Sequence, residues 1–519
     1  MKKSILYIAA AAILTACSME PELTDRYSEK VAWSSEANAQ LYVNKFYPLI
    51  GQDYYNSAIS DECCSDIMRM NSPMSDENYF LYGTVTVGPD NNLFNNWGWG
   101  HTWALEVCRF LDSMYKYGDA LSEDFKNYAE AQVRWFRAHV YFQMARRFGA
   151  SVVLWKELPP MGEKYFDRCT PDECWDFIAE DLDYAATYLP ETDDAGKLTK
   201  GAALGLKARA MLYAGRWDEA EQACQAIEDL NLYELEKDYA NLFLYTRAKG
   251  VSKESIVEYG YSYPSLSYTF DKFYCPPGDG AYAQASPTEN LVAMYRMADG
   301  REFSWDDPEM AAHPYEGREP RFYASILYDG AKWKNRTLDM REGTTDGVSS
   351  SGGSTSTGYY MRKLFDPSQT VGFSESDLTY YYMRYAEVLL IHAEALAELN
   401  RLGDAADKLN QVRERAGFAP ASYVTKVELM KELRRERAVE LAFEGHRFWD
   451  LRRWGLAKQT LNNTKRKGAK PVMNGEERTY TVFSADNKTI KYLDKYERFP
   501  IPLVETQRNE ALEQFDEWK

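Results

Sequence analysis

The residues best equipped for chemistry are charged and aromatic. In RRERAVELAFEGHRFWDLRR, residues 434–453, Glu436, Glu440, Glu444 and Asp450 alternate with Arg437, Arg447 and Arg452. Paired carboxylates can act as general acid and base, and a pair such as Asp61 and Asp66 could in principle serve glycoside hydrolysis. The spacing of the arginine-rich block favours a plainer reading: ion pairs three and four residues apart on a helix, arginines tying it to its neighbours, and His446 as a structural hydrogen-bonding group. No GxSxG, no Walker-type GxxxxGK and no HExxH is present. The aromatic candidates centre on NNWGWGHTW, with Trp97, Trp99 and Trp103 separated by Gly98 and Gly100. A flat indole can cover the C–H face of a pyranose while Asn96 or a neighbouring polar side chain bonds its hydroxyl rim. Polar, glycine-rich flanks place Trp97 and Trp99 in a loop before a helix beginning near Thr102, facing either a ligand or the core. Trp103 starts a run with Val107, Phe110 and Leu111 and reads as core.

Those residues need a scaffold. The chain has 519 residues, 45% of them hydrophobic and 27% charged, which is globular composition. Tyrosine contributes 39 residues, an excess suited to surfaces that are apolar on one side and hydrogen-bonding on the other. A net charge of −18 excludes a nucleic-acid binder, which needs a basic footprint. The basic knot Lys465, Arg466, Lys467 and Lys470 reads as a solvated loop.

Helical period is clear over residues 124–147, where Ala131, Trp135, Ala138, Phe142 and Ala145 recur at three- and four-residue steps. Thr170-Pro171-Asp172-Glu173 and Thr425-Lys426-Val427-Glu428 are capping boxes, the first opening a helix to Leu189 and the second a helix to about Phe443. Ala208 and Ala220 lie 12 residues apart, as do Ala393 and Ala405, each pair spanning a helix, a short turn and a second helix. That plan resembles the tetratricopeptide helix hairpin, in which small residues let two backbones approach. The helices near residues 124 and 170 form a looser third unit. Residues 255–365 lose the helical period, and residues 343–358, almost all Gly, Ser and Thr, read as a mobile loop.

The amino terminus, MKKSILYIAAAAILTAC, has a positive start and an apolar run of 11 residues, against roughly 20 needed to span a bilayer. It ends in Leu14-Thr15-Ala16-Cys17, which looks like a lipobox, so residues 1–16 read as a signal peptide and Cys17 as the acylated anchor. Glu20 and Glu22 resemble the surface-export signal of Bacteroidetes lipoproteins. Seven cysteines remain, too few for a disulfide framework, and five scattered histidines suggest no metal site; no cofactor is expected.

The blocks YYYMRYAEVLLIHAEALAELNRLGDAADKLNQVRERAG, LRRERAVELAFEGHRFWDLRRWG and RFPIPLVETQRN resemble the SusD/RagB family, as do AQVRWFRAHVYFQMARRFG and AMYRMADGREF upstream. Glu319-Pro320-Arg321 departs from the usual Asp-Pro-Arg, and residues 514–518 lack the usual Asn-Pro-Gly, which puts local packing in question. The resemblance implies a mostly α-helical fold: a tetratricopeptide-like superhelix with an irregular, loop-rich ligand-binding face, residues 17–250 and 251–519 forming one compact unit. It implies a cell-surface, outer-membrane lipoprotein that captures oligo- or polysaccharide and passes it to a SusC-like TonB-dependent transporter, without catalysis. A peptide cargo, a helical glycosidase and a purely organising scaffold are the rival readings. Asp61 and Arg69, in SDECCSDIMRM, fall in a segment that can reach the family's site. Tyr263, Tyr268, Tyr274 and Tyr282 flank a Pro276-Pro277-Gly278 loop that cannot be helical, and some of them should line the same face; Trp333, after Arg321, is a further candidate.

Overall fold

Caps and small residues set the helical frame. The computed structural model describes residues 29–53, 58–83, 85–87, 93–369 and 376–519. The expected signal peptide, Cys17, Glu20 and Glu22 lie outside the described residues. The longer helices are α1 (Glu36–Asn44), α2 (Trp97–Tyr117), α3 (Glu123–Phe148), α4 (Pro171–Tyr188), α5 (Lys200–Ala214), α6 (Trp217–Asp229), α7 (Tyr385–Glu398), α8 (Leu402–Arg415), α9 (Lys426–Glu440) and α10 (Arg447–Arg453). Both capping boxes form: Thr170 accepts from the Glu173 amide and Thr425 from the Glu428 amide, and each glutamate carboxylate reaches back to its cap. The second helix stops at Glu440, three residues short of the expected Phe443.

Helices pack in sequence, α2 on α3, α3 on α4, α4 on α5, α5 on α6, α6 on α7 and α7 on α8, with α9 against α7. Ala208, Ala220, Ala393 and Ala405 are fully enclosed, on helix pairs that pack against each other, as the 12-residue spacing leads one to expect. The α5–α6 turn is made by Gly215 in the left-handed region (φ 71°) and the α7–α8 turn by Asn400 (φ 62°). No helix among the described residues is long and apolar enough to cross a membrane.

The arginine-rich block belongs to the frame, and its arginines tie it to neighbouring elements as expected, with a smaller share of pairs along the helix. Its ion pairs are mostly buried and run between elements. Glu440 receives Arg384, Arg415 and Arg321, and Arg384 also bonds Glu254 at 2.7 Å. Arg437 bonds Asp450 at 2.8 Å. Buried charges are tolerated only when paired and hydrogen-bonded, and here one helix supplies carboxylates to arginines from three other segments. The Glu319-Pro320-Arg321 departure is absorbed by the same cluster: Arg321, fully enclosed, lies 2.7 Å from Glu319.

The remaining chain is short strands and turns. β1 (Met68–Met70) pairs antiparallel with β3 (Ala285–Pro287), Arg69 opposite Ser286. β2 (Ser255–Gly260) pairs with β4 (Thr379–Arg384), and β5 (Lys467–Asn474) with β6 (Glu477–Ser484) as a hairpin. Two sequence expectations fail in this part. Residues 343–358 are not a free loop: Ser354 to Thr357 are buried, and the Thr355 hydroxyl accepts from the amides of Gly358 and Tyr359 while Thr357 donates to Pro287. Short hydroxyl side chains satisfy their own backbone, which lets a Gly/Ser/Thr run pack. The basic knot is not a solvated loop either. Arg466 is buried against Asp486 at 2.7 Å and bonds the Cys63 and Met68 carbonyls, and Lys467 begins β5.

Candidate functional site

The expected aromatic platform does not form as a loop. Trp97 is the first residue of α2 and only 2% exposed, with its ring edge-on to Phe148 (5.0 Å) and tilted over His101 (4.8 Å). The reason lies in Gly100. A Cβ there would sit 2.2 Å from the Met144 sulfur, so this glycine serves close helix packing against α3 and not loop exposure. Trp99 is half-buried against the core. Asn96 is the α2 cap residue and half-buried, yet its side chain makes no capping bond.

Other predicted residues are also enclosed. Asp61 accepts from the Trp449 indole at 2.6 Å and lies 3.7 Å from Arg146, lining a small hollow of about 30 Å³. Tyr268 donates its hydroxyl to the Leu364 carbonyl, and Tyr274 packs on Phe270 at 4.4 Å. Trp333 is 1% exposed, with its indole N–H bonded to Asp279 at 2.7 Å. Each has found an apolar wall for its ring or a charged partner for its polar end, which places it in the frame. Trp97, Asp61, Tyr268, Tyr274 and Trp333 therefore do not face solvent as a ligand surface requires. Tyr263 and Tyr282 do, at 50% and 51% exposure.

Arg69 stands at the base of a cleft of about 380 Å³, a volume within the range of small-ligand sites. β1 holds its backbone against β3. Its Nε donates to Asp486 at 2.9 Å and its Nη1 to the Ser356 hydroxyl at 2.6 Å. Burial pushes the Asp486 carboxyl up, but Arg466 and then Arg69 hold it below the usual carboxylate range. The walls come from the 343–358 stretch (Ser349, Ser350, Ser356) and from the β5–β6 hairpin and its exit (Lys470, Phe483, Ser484, Asn487). Lys470 pairs with Glu342 across the rim at 2.6 Å, and its ammonium lies 5.4 Å from the Phe483 ring centre. Burial raises the Tyr82 phenol while the nearby Arg466 and Arg69 guanidiniums oppose that rise, and the Lys488 ammonium lies over its ring.

Tyr282 joins this neighbourhood through Asn71. The Asn71 amide donates to the Ala283 carbonyl at 2.6 Å, and its oxygen accepts from the Ser356 hydroxyl at 2.7 Å. The exposed tyrosine is thus one residue from an anchor shared with the cleft wall. Hydroxyls, an amide and an ion pair surround half-buried rings, an arrangement suited to a neutral, hydroxyl-rich ligand with an apolar face. A larger hollow of about 480 Å³, lined by Trp33, Leu41, Tyr42 and Arg109, lies between α1 and α2. It holds none of the predicted residues and fewer polar groups suited to hydroxyl recognition. Among the described residues no cluster of His, Cys, Asp and Glu is arranged to hold a metal ion.

Sequence reasoning missed Phe483, Ser356, Lys470 and Asn487. They are ordinary residues in ordinary contexts, and only the long-range pairing of residues 69, 356 and 486 brings them together.

The fold and the interelement arginine cluster define a helical-repeat protein with an irregular binding face. The model of the SusD family matches residues 249–518, and the chain belongs to that family. A SusD-like protein of Bacteroides fragilis has a solved structure that superposes with a TM-score of 0.81 at 27% identity, covering 93% of this chain and 97% of that one. A second B. fragilis structure, described as a SusD-like carbohydrate-binding protein, gives 0.81 at 25% identity, covering 93% and 99%. Among curated relatives, SusD-like protein P25 of Formosa agariphila is 25% identical over 77% of this chain and 74% of its own, and a SusD-like protein of Bacteroides ovatus 23% identical over 88% and 83%.

Proposed function

We propose that this chain captures oligo- or polysaccharide at the cell surface and passes it to a SusC-like TonB-dependent transporter, tethered to the outer membrane through acylated Cys17. The observation that carries the reading is the Arg69 cleft, whose serine hydroxyls, Asn487 and half-buried Phe483 ring match the rim and face of a sugar. The carbohydrate-binding description of the B. fragilis relative supports it. The buried carboxylate at the cleft argues for binding without cleavage: Asp486 is held ionised by two arginines and is no poised general acid, while Glu342 is paired with Lys470. An aromatic contact adds about 0.5–1.5 kcal/mol beyond area burial, and a few such contacts give the weak affinity that a delivering protein needs.

Affinity electrophoresis against a panel of polysaccharides tests the reading. Retardation on at least one glycan, reduced by Phe483→Ala, is the expected result. Peptide binding with no retardation on any glycan would redirect the assignment, and turnover of an oligosaccharide abolished by one carboxylate substitution would make the chain an enzyme. Loss of radiolabelled fatty acid from Cys17→Ala tests the anchor.

A further inference from the structure

α4 begins between two cysteines. Thr170 is its cap residue, so Cys169 occupies the position before the cap and Cys174 the fourth helical position. Those two positions face each other across a helix start, where an apolar pair ordinarily forms a hydrophobic staple. Here the pair is two thiols, both free in this structure, and each shifts the other's titration. Cys169 is half-buried, and its amide donates to the Val152 carbonyl at 2.8 Å while its sulfur approaches the Ala150 carbonyl at 3.6 Å. Cys174 is fully enclosed. The other described cysteines, Cys63, Cys64, Cys108, Cys224 and Cys275, are all buried.

We propose that Cys169 and Cys174 form a thiol–disulfide exchange site, which a disulfide-bearing oxidant closes into a covalent staple at the start of α4. The geometry assigns the order of attack. Cys169 is half-buried and so reachable, whereas Cys174 is fully enclosed; in keeping with that, the neighbouring Cys174 thiol holds the Cys169 thiol below the usual range, while Cys174 is pushed well above. The Cys169 thiolate attacks one sulfur of the oxidant, forming a mixed disulfide and expelling one thiolate. Cys174 then loses its proton to that thiolate and attacks the Cys169 sulfur, expelling the second. The balance is two protein thiols and one oxidant disulfide giving one protein disulfide and two small thiols. Closure makes covalent a contact that spans the capping box, and it fixes α4 to the segment at residues 150–152 through the backbone bond of Cys169. The site is separate from the Arg69 cleft and does not depend on what the cleft binds.

The test uses the full chain, reduced and then exposed to oxidised glutathione, quenched in acid and alkylated in denaturant. The expected result is two fewer alkylated cysteines and a peptide covering residues 169–174 lighter by two hydrogens, about 2 Da. Cys174→Ala should instead retain glutathione on Cys169, and Cys169→Ser should leave Cys174 fully alkylated. Full alkylation of both residues in the parent chain, a lasting glutathione adduct on its Cys169, or linkage of either residue to another cysteine would overturn the proposal. The parent chain alone decides, so a misfolded variant does not leave the question open.

Discussion

Replacing Tyr282 and Trp97 by alanine, one at a time, separates binding face from frame. Tyr282 is 51% exposed, its ring 6.0 Å from the Phe273 ring and 5.5 Å from the Lys272 ammonium. Its removal should change folding stability by no more than about 0.5 kcal/mol. If it stacks on sugar, it removes about 0.5–1.5 kcal/mol of binding, a weakening of roughly 2- to 13-fold in Kd. Trp97 is 2% exposed between Phe148 and His101. Trp97→Ala should cost about 3–5 kcal/mol of stability through lost burial and the cavity left behind, while the folded fraction binds glycan as the parent does. Urea denaturation gives the first quantity and affinity electrophoresis on a retarding polysaccharide the second. The reasoning is refuted if Trp97→Ala abolishes retardation with an unchanged unfolding midpoint while Tyr282→Ala binds like the parent.

Other expectations can be checked by the same methods. Gly468→Ala places a Cβ 2.4 Å from the Thr357 carbonyl oxygen, a backbone atom that cannot swing aside, and should cost about 1–3 kcal/mol or more in urea titration. Thr170→Ala and Thr425→Ala should each cost about 1 kcal/mol through loss of a capping box. Burial pushes the Glu62 carboxyl up to about 8 against the opposing amides of His446, Arg447 and Gly445. A raised carboxyl contributes stability that is complete below its unfolded value and lost as pH rises through about 8. Glu62→Gln keeps an acceptor for the Gly445 and His446 amides, so its stability relative to the parent should improve from pH 6.5 to 8 by up to about 1.4 kcal/mol per pH unit; a constant difference across that range would count against it. Glu444 behaves oppositely. Burial pushes it up, but Arg384 and Lys363 bring it down to about 2, so its contribution is present above the ordinary glutamate range and lost as pH falls toward 2, measurable as acid unfolding that Glu444→Gln shifts.

The frame was legible in the sequence because its signals are local. A capping box is read from four residues, and the paired alanines 12 apart mark helix pairs that do pack together with those alanines enclosed. Trp97 was misread because glycine has two uses, loop freedom and helix proximity, and only the Met144 sulfur beside Gly100 distinguishes them. The Ser/Thr stretch was misread because composition does not reveal that Thr355 and Thr357 bond inward. The cleft was largely illegible. Of its parts only Arg69 stood out, and the contacts that build it join residues hundreds of positions apart, a separation that no periodic pattern encodes.

That separation dictates when the molecule becomes competent. Arg69 is steered by Ser356 and by Asp486, so the groove has a floor early in synthesis, one wall 287 residues later and the other 417 residues later. A chain cut short before Asp486 would carry every helix from α1 to α10 and still leave Arg69 without its carboxylate. If the cleft is where cargo is held, as proposed, a truncated molecule would fold its frame and stay idle, so a late segment gates the entry of the whole into service.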